Sequence, residues 1–315
     1  VIRKMFEEGA ALKQKFGEDK VFDFSIGNPD LDPPQKVIDA ISKITSEETH
    51  LCHGYMPNAG YLETRVAMAK KTSIEQGLGE NGIDFSHVIM SVGAAGAINA
   101  TLKALINEGD EVIVNCPYFT EYDHYIHNQQ GEIVRVKTKP DFGLDEKAIK
   151  EVLNEKTCSI IINSPNNPSG RIYSDDEILA VTEVLKEHGK KTGRYPYIIC
   201  DEPYRAITYE GKKVASVFPK YENSIIVTSF AKNLSLPGER IGYICINPAC
   251  SEVKDFIAAA IFATRTLGFV NAPAFFQRVI AESWDAECDY SLYEKRRNEI
   301  CEVMDYAGLE YATPD

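Results

Sequence analysis

The chain lacks most of the features that would mark it for a membrane, a nucleic acid or an oxidising compartment. No apolar run is long enough to span a bilayer, and no signal-peptide pattern opens the sequence, so a cytoplasmic location is expected. Basic residues are the minority: 34 Lys and Arg against 47 Asp and Glu leave a formal net charge of −13. Such a balance argues against a nucleic-acid or anionic-membrane partner. CxxC pairs are missing, and the eight cysteines are scattered, several inside apolar runs such as Tyr197-Ile-Ile-Cys-Asp201. That usage reads as reduced thiols packed as small hydrophobes, not as a disulfide framework or a zinc site. There is no Gly-Lys-Ser/Thr, which excludes a P-loop, and there are no repeats or low-complexity tracts.

What is present suits a soluble globular enzyme: 44% of residues are apolar and 26% charged. A length of 315 residues allows one large or two modest domains with a well-buried core. The chain opens at Val1 in a charged amphipathic helix and stops at Tyr311-Ala-Thr-Pro-Asp315, which reads as a turn. A fragment of a longer protein is the expectation.

Short apolar runs alternate with longer amphipathic segments, the pattern of an α/β protein with a mainly parallel sheet sandwiched by helices. The spacing predicts strands at His87–Val92, Glu111–Cys116, Ser159–Asn163, Tyr197–Cys200, Ser224–Phe230 and Gly242–Ile246. Helices are predicted over Ala95–Ile106, Asp175–Glu187 and Ser251–Arg265. The residues able to do chemistry follow the strands: Gly93-Ala-Ala-Gly96, Pro117-Tyr-Phe119, Asn163 to Gly170, Asp201-Glu-Pro-Tyr204 and Lys232. Open α/β sheets bind ligands in the crevice at the carboxyl ends of their strands, so these segments are expected to converge on one pocket.

Two of these segments carry a specific chemistry. Ser229-Phe-Ala-Lys232, followed by Gly238-Glu-Arg240-Ile-Gly242, sets a lysine after an apolar strand, with a hydroxyl and an arginine able to grip a phosphate. This arrangement suits a Schiff-base lysine that carries pyridoxal phosphate. Gly93-Ala-Ala-Gly96 opens a helix after a strand, where backbone N–H groups bind phosphate and small side chains allow close approach. Ala94, Ala95, Gly96 and Ser229 are thus expected around a phosphate, with Arg240 as its charged fork. Each part also has a plainer reading: Lys232 as a surface charge, Arg240 paired with Glu239, Asp201 as a helix N-cap, Phe119 as core.

Taken in combination and order, these motifs resemble the class I and II aminotransferases of the fold-type I pyridoxal-phosphate enzymes, a group that includes aspartate aminotransferase. The resemblance runs from Phe24-Ser-Ile-Gly-Asn-Pro-Asp30 to about Pro273. It implies a large cofactor-binding domain at 35–290, an N-terminal segment at 1–34, and the start of an incomplete smaller α+β domain at 291–315. It assigns the catalytic set Lys232, Asp201 and Tyr204, with Asp201 on the pyridine nitrogen and Tyr204 and Asn167 on the ring's phenolic oxygen. Phe119 would stack on the ring. Tyr55 would reach across a homodimer to the neighbour's phosphate, and Gly27, with Asn167, would lie near the substrate. The family's arginine for the substrate carboxylate falls beyond Asp315 in alignment order. Arg265 sits near where some members carry a selecting arginine, in a register one residue off, or it is a helix-end charge.

The expected activity is transfer of an amino group between an amino acid and a 2-oxo acid. A C–S β-lyase on the same scaffold would keep every cofactor residue and differ only in substrate contacts. A non-catalytic module for sensing or interaction is the alternative from another class.

Overall fold

The computed structural model of the chain describes residues 2–22, 27–47 and 50–315. Phe24, Ser25 and Ile26, the opening of the motif that ends at Asp30, lie outside the described residues. The chain divides into two compact units, Val1–Leu31 and Asp32–Asp315. The first holds helix α1 (Ile2–Phe16) and a single 3-10 turn, Glu18–Lys20.

In the second unit a seven-stranded sheet is built from β1 (Val88–Ser91), β2 (Glu111–Cys116), β3 (Glu132–Lys137), β4 (Thr157–Asn163), β5 (Tyr197–Asp201), β6 (Ser224–Ser229) and β7 (Gly242–Ile246). Its helices are α2 (Gln35–Ser46), α3 (Leu62–Glu75), α4 (Gly93–Leu105), α5 (Glu121–Asn128), α6 (Glu146–Val152), α7 (Asp175–Thr192), α8 (Val253–Thr266), α9 (Ala274–Ser283) and α10 (Ser291–Tyr306). The strand order is β1-β7-β6-β5-β4-β2-β3. β3, β2, β4, β5 and β6 run parallel, while β7 lies antiparallel between β6 and β1.

The central strands β4, β5 and β6 are buried along nearly their whole length because both faces are covered, as a parallel sheet requires. Alternate residues of β4 to β6 enter different cores, since successive side chains point to opposite faces. Ile160, Ile162, Ile198, Cys200 and Ile226 join α2, α3, α6, α7 and α9 on one side. Ile161, Ile199, Ile225 and Val227 join α4, α5 and α8 on the other. Each fully buried Ile or Val contributes about 1.5–3 kcal/mol of transfer free energy, so these layers dominate the stability of the sheet.

The predicted strands are present, with ends displaced by a residue or two. β3 was not among them: it is an edge strand whose residues are largely exposed or half-buried, so it carries little apolar signal. Helix α7 runs five residues beyond the predicted Glu187, from a Ser174/Glu177 capping box to Gly193, which closes it in the left-handed conformation. The segment after α10 returns to the body of the second unit. Asp315 pairs with Arg171 at 3.2 Å and Lys212 at 2.5 Å, and accepts the Ile172 backbone N–H.

Candidate active site

The sheet register alone places several of the expected residues side by side. Ser91, Gly242 and Ser229 are cross-strand partners in β1, β7 and β6. Asn163, Asp201 and Val227 are partners in β4, β5 and β6. Each of the parallel strands, and β1 with them, ends at this edge, so the loops that follow rise around a single cleft. An open cleft of about 220 Å³ there is lined by Ala94, Ala95, Phe119, Asn167, Asp201, Tyr204, Ser229, Lys232 and Arg240 among others.

At the floor of the cleft, Asp201 is 5% exposed. Asn163 Nδ2 donates to its backbone carbonyl at 2.8 Å. The Tyr122 hydroxyl donates to Asp201 Oδ2 at 2.5 Å. Oδ1 is buried and has no hydrogen-bond partner. Burial pushes the Asp201 carboxyl up to about 7, with the Tyr122 hydrogen bond opposing.

Beside it, the Asn167 N–H donates to Asn163 Oδ1 at 2.6 Å, which leaves the Asn167 side chain aimed at Tyr204. Asn167 Nδ2 and the Tyr204 hydroxyl meet at 3.5 Å. Burial, then the charge of Asp201, pushes the Tyr204 phenol up, with Asn167 opposing. Lys232 follows β6 in a turn and is half-buried, and burial lowers its amine below the ordinary lysine range.

At the other end of the cleft, the first turn of α4 presents Ala94 and Ala95. Arg240 takes a left-handed conformation, φ 50, and donates from Nη1 to the Pro237 carbonyl at 2.9 Å. Its guanidinium lies against Gly93, where a Cβ would come 3.0 Å from Nη2. Gly93 itself has φ +67. Only glycine meets both demands without strain, so it brings a guanidinium and a helix N-terminus onto the same spot. No ion pair between Arg240 and Glu239 occurs among the described residues.

The group these residues suit can be tested on the orphaned oxygen. A buried carboxylate oxygen without a donor is costly and calls for a partner bearing a proton. A protonated pyridine nitrogen is such a partner. The Asn167–Tyr204 pair offers donors to a phenolate oxygen, and Arg240, Ser229 and the α4 N-terminus offer what a phosphate needs. The residues therefore fit pyridoxal phosphate.

Not every expected residue of the second unit lines the cleft. Gly96 is buried in α4, where its Cα faces Val92 and Phe269 rather than the cleft. Arg265 is exposed in the last turn of α8 and stands apart from the lining. Tyr55 is 96% exposed. Gly27 is exposed in the first unit. Sequence reasoning missed Tyr122, Glu121 and Tyr125. Tyr122 stands three residues after Phe119 and one helical turn before Tyr125, and only its burial distinguishes it. Asn163 was visible as a polar residue closing an isoleucine strand, a position that burial alone would disfavour.

Residues 19–309 match the family described as Aminotransferase class I and II. The chain is similar to the probable aspartate/prephenate aminotransferase of Aquifex aeolicus, with 34% identity over 94% of this chain and 74% of that protein. It is 30% identical to the probable aspartate aminotransferase of Methanocaldococcus jannaschii over 74% of this chain, and there it spans only 58% of the relative's length. A crystal structure of an aminotransferase from Eubacterium rectale superposes with a TM-score of 0.95 and 36% identity, covering 100% of this chain and 79% of that one. The chain thus belongs to the class I and II aminotransferases, a family of pyridoxal-phosphate-dependent enzymes.

Proposed function

We propose that the protein transfers an amino group between an amino acid and a 2-oxo acid, with pyridoxal phosphate held in the cleft. The observation that carries this reading is the buried, partnerless Oδ1 of Asp201 in the same cleft as a half-buried lysine. When bound, the cofactor supplies an electron sink that allows a proton to leave the substrate's α-carbon. Lys232 would hold the cofactor covalently until the substrate's amine takes its place, and the freed Nζ would then move that proton, a role helped by burial that favours the neutral amine. Asp201 keeps the ring nitrogen cationic. Tyr204 and Asn167 bind the phenolic oxygen, Phe119 covers the ring face, and Ala94, Ala95, Ser229 and Arg240 hold the phosphate. Gly27 and Asn167 are assigned to the substrate side.

Three further assignments belong to the same proposal. A homodimer would place the exposed Tyr55 at the neighbour's phosphate, and 96% exposure on its own chain supports that use. Residues 291–315 would open a smaller domain, and α10 begins at that boundary. A cytoplasmic location accords with eight unpaired cysteines, four of them buried.

The test is spectroscopic and kinetic. Added pyridoxal phosphate should give a visible absorption band that Lys232→Ala abolishes while the fold, read by circular dichroism, is retained. Aspartate is the donor to try first, because relatives are named aspartate/prephenate aminotransferases. Turnover should require a 2-oxo acid. Release of ammonia and pyruvate from cystathionine without an acceptor would overturn the transaminase reading in favour of a lyase.

A further inference from the structure

We propose that Tyr122 is a positioning residue for the pyridine end of the site: its hydroxyl clamps Asp201 Oδ2, so that Oδ1 alone is presented to the ring nitrogen. The inference rests on reading the cleft as a pyridoxal-phosphate site.

Tyr122 lies in the first turn of α5, 1% exposed, with its hydroxyl 2.5 Å from Oδ2. The phenol ring has no freedom to swing away. Tyr118 stacks on it with centroids 6.4 Å apart and planes 8° from parallel. Phe119 meets it edge-on at 5.6 Å and 83°. Asp201 is held equally well at its backbone, by the ladders of β4 and β6 and by Asn163 Nδ2.

What the backbone leaves open is the terminal torsion of the carboxylate, which is broad and two-fold in an unconstrained side chain. The two oxygens would then exchange, and either could turn from the ring. The Tyr122 clamp removes this degeneracy. The identity of the donor also matters. The titratable groups that feel the charge of Asp201 are Tyr122 and Tyr125 from α5, Tyr204 from the loop after β5, and the adjoining Cys200 and Glu202. Lys232 and Arg240 line the same cleft and Arg205 pairs with Glu202, but the side-chain donor on the Asp201 carboxylate is the neutral phenol. A neutral phenol steadies the carboxylate without cancelling the charge that the ring nitrogen is to meet, whereas an arginine or imidazolium in its place would compete for it. The same side chain supports Phe119, so the ring-face and ring-nitrogen contacts share one prop.

Tyr122→Phe in the full-length, cofactor-loaded protein keeps the packed ring and removes only the oxygen. A charge-assisted hydrogen bond is lost, so kcat should fall about tenfold or more while KM for the amino acid changes less than about threefold. Without the phenol, Asp201 would present more of its negative charge to the ring end of the site and would favour the protonated form of a cofactor-linked Lys232 Nζ. The pH midpoint of the visible absorption should therefore rise, by roughly half to one unit. A merely structural residue would lower thermal stability and leave that midpoint alone. A ring-fluorinated tyrosine at position 122 preserves the packing and offers a more acidic donor, so it should move the midpoint down even if Tyr122→Phe folds poorly. An unmoved midpoint in these variants overturns the inference. A parent protein with no visible band would instead sink the functional proposal on which it rests.

Discussion

A carboxylate that is fully enclosed and holds one unsatisfied oxygen is a destabilising element of the cofactor-free chain, and its cost can be read against pH. Burial raises the Asp201 carboxyl to about 7 from an ordinary value of 3.8. The folded chain therefore keeps a proton that the unfolded chain releases. This contribution to stability is present at low pH, declines as pH rises from about 4 to about 7, and is flat above that. Burial pushes Glu202 the same way, against the neighbouring Arg205 guanidinium 3.0 Å off. In thermal or urea unfolding of the cofactor-free protein, Asp201→Asn should remove the Asp201 share of the decline, a difference of roughly a few kcal/mol between pH 5 and pH 8. Loading the parent with pyridoxal phosphate should flatten the profile too, since a cation beside Oδ1 favours the ionised form. A parent and Asp201→Asn variant with parallel profiles would show that the carboxyl is not held as described. Asp201 was legible from sequence because it closes an apolar strand. Tyr122 was not, because a tyrosine on a short helix looks the same whether it caps a carboxylate or faces water.

At the level of elements, the phosphate end depends on a strand-to-helix turn and an arginine more than a hundred residues apart in the chain. Strands β1 and β7 meet in register at Ser91 and Gly242, so Gly93 and Arg240 emerge from neighbouring strand ends. Gly93→Ala forces a side chain into a positive-φ position and toward Arg240 Nη2. The expected cost is about 1–2 kcal/mol of stability. A loss of roughly tenfold or more in affinity for pyridoxal phosphate, measured by equilibrium titration, should accompany it. Unchanged affinity would mean the phosphate is held elsewhere. The sheet was legible because its central strands are rich in isoleucine and valine, and the glycine turn because it follows an apolar strand at the sheet's edge. The antiparallel course of β7 was hidden: residues buried on both faces give the same pattern in either direction. The partially exposed β3 left too weak a period to read.

At the scale of the whole molecule, the site as proposed is shared between two chains. Tyr55 presents almost its whole side chain to solvent on its own protomer. In the proposed dimer, Lys232→Ala removes one essential group from its own site, and Tyr55→Ala removes another from the partner's. Mixed dimers of the two variants should carry one complete site, so coexpression should restore a measurable fraction of activity that neither variant shows alone. Failure of the mixture to recover activity would place Tyr55 outside the site. The sheet's topology has a consequence for how such a protein comes into being. Val88 pairs with Cys245, so the edge of the sheet that carries the phosphate end joins an early strand to a late one. Closing so long a loop is a late step in folding, because its entropy must be offset by contacts made elsewhere first. A chain emerging from the ribosome thus has the α4 N-terminus and Asp201 before Arg240 and β7 complete the grip on an anion. Capture of the cofactor follows the completion of the sheet and acts as a lock on it, not as a template for it.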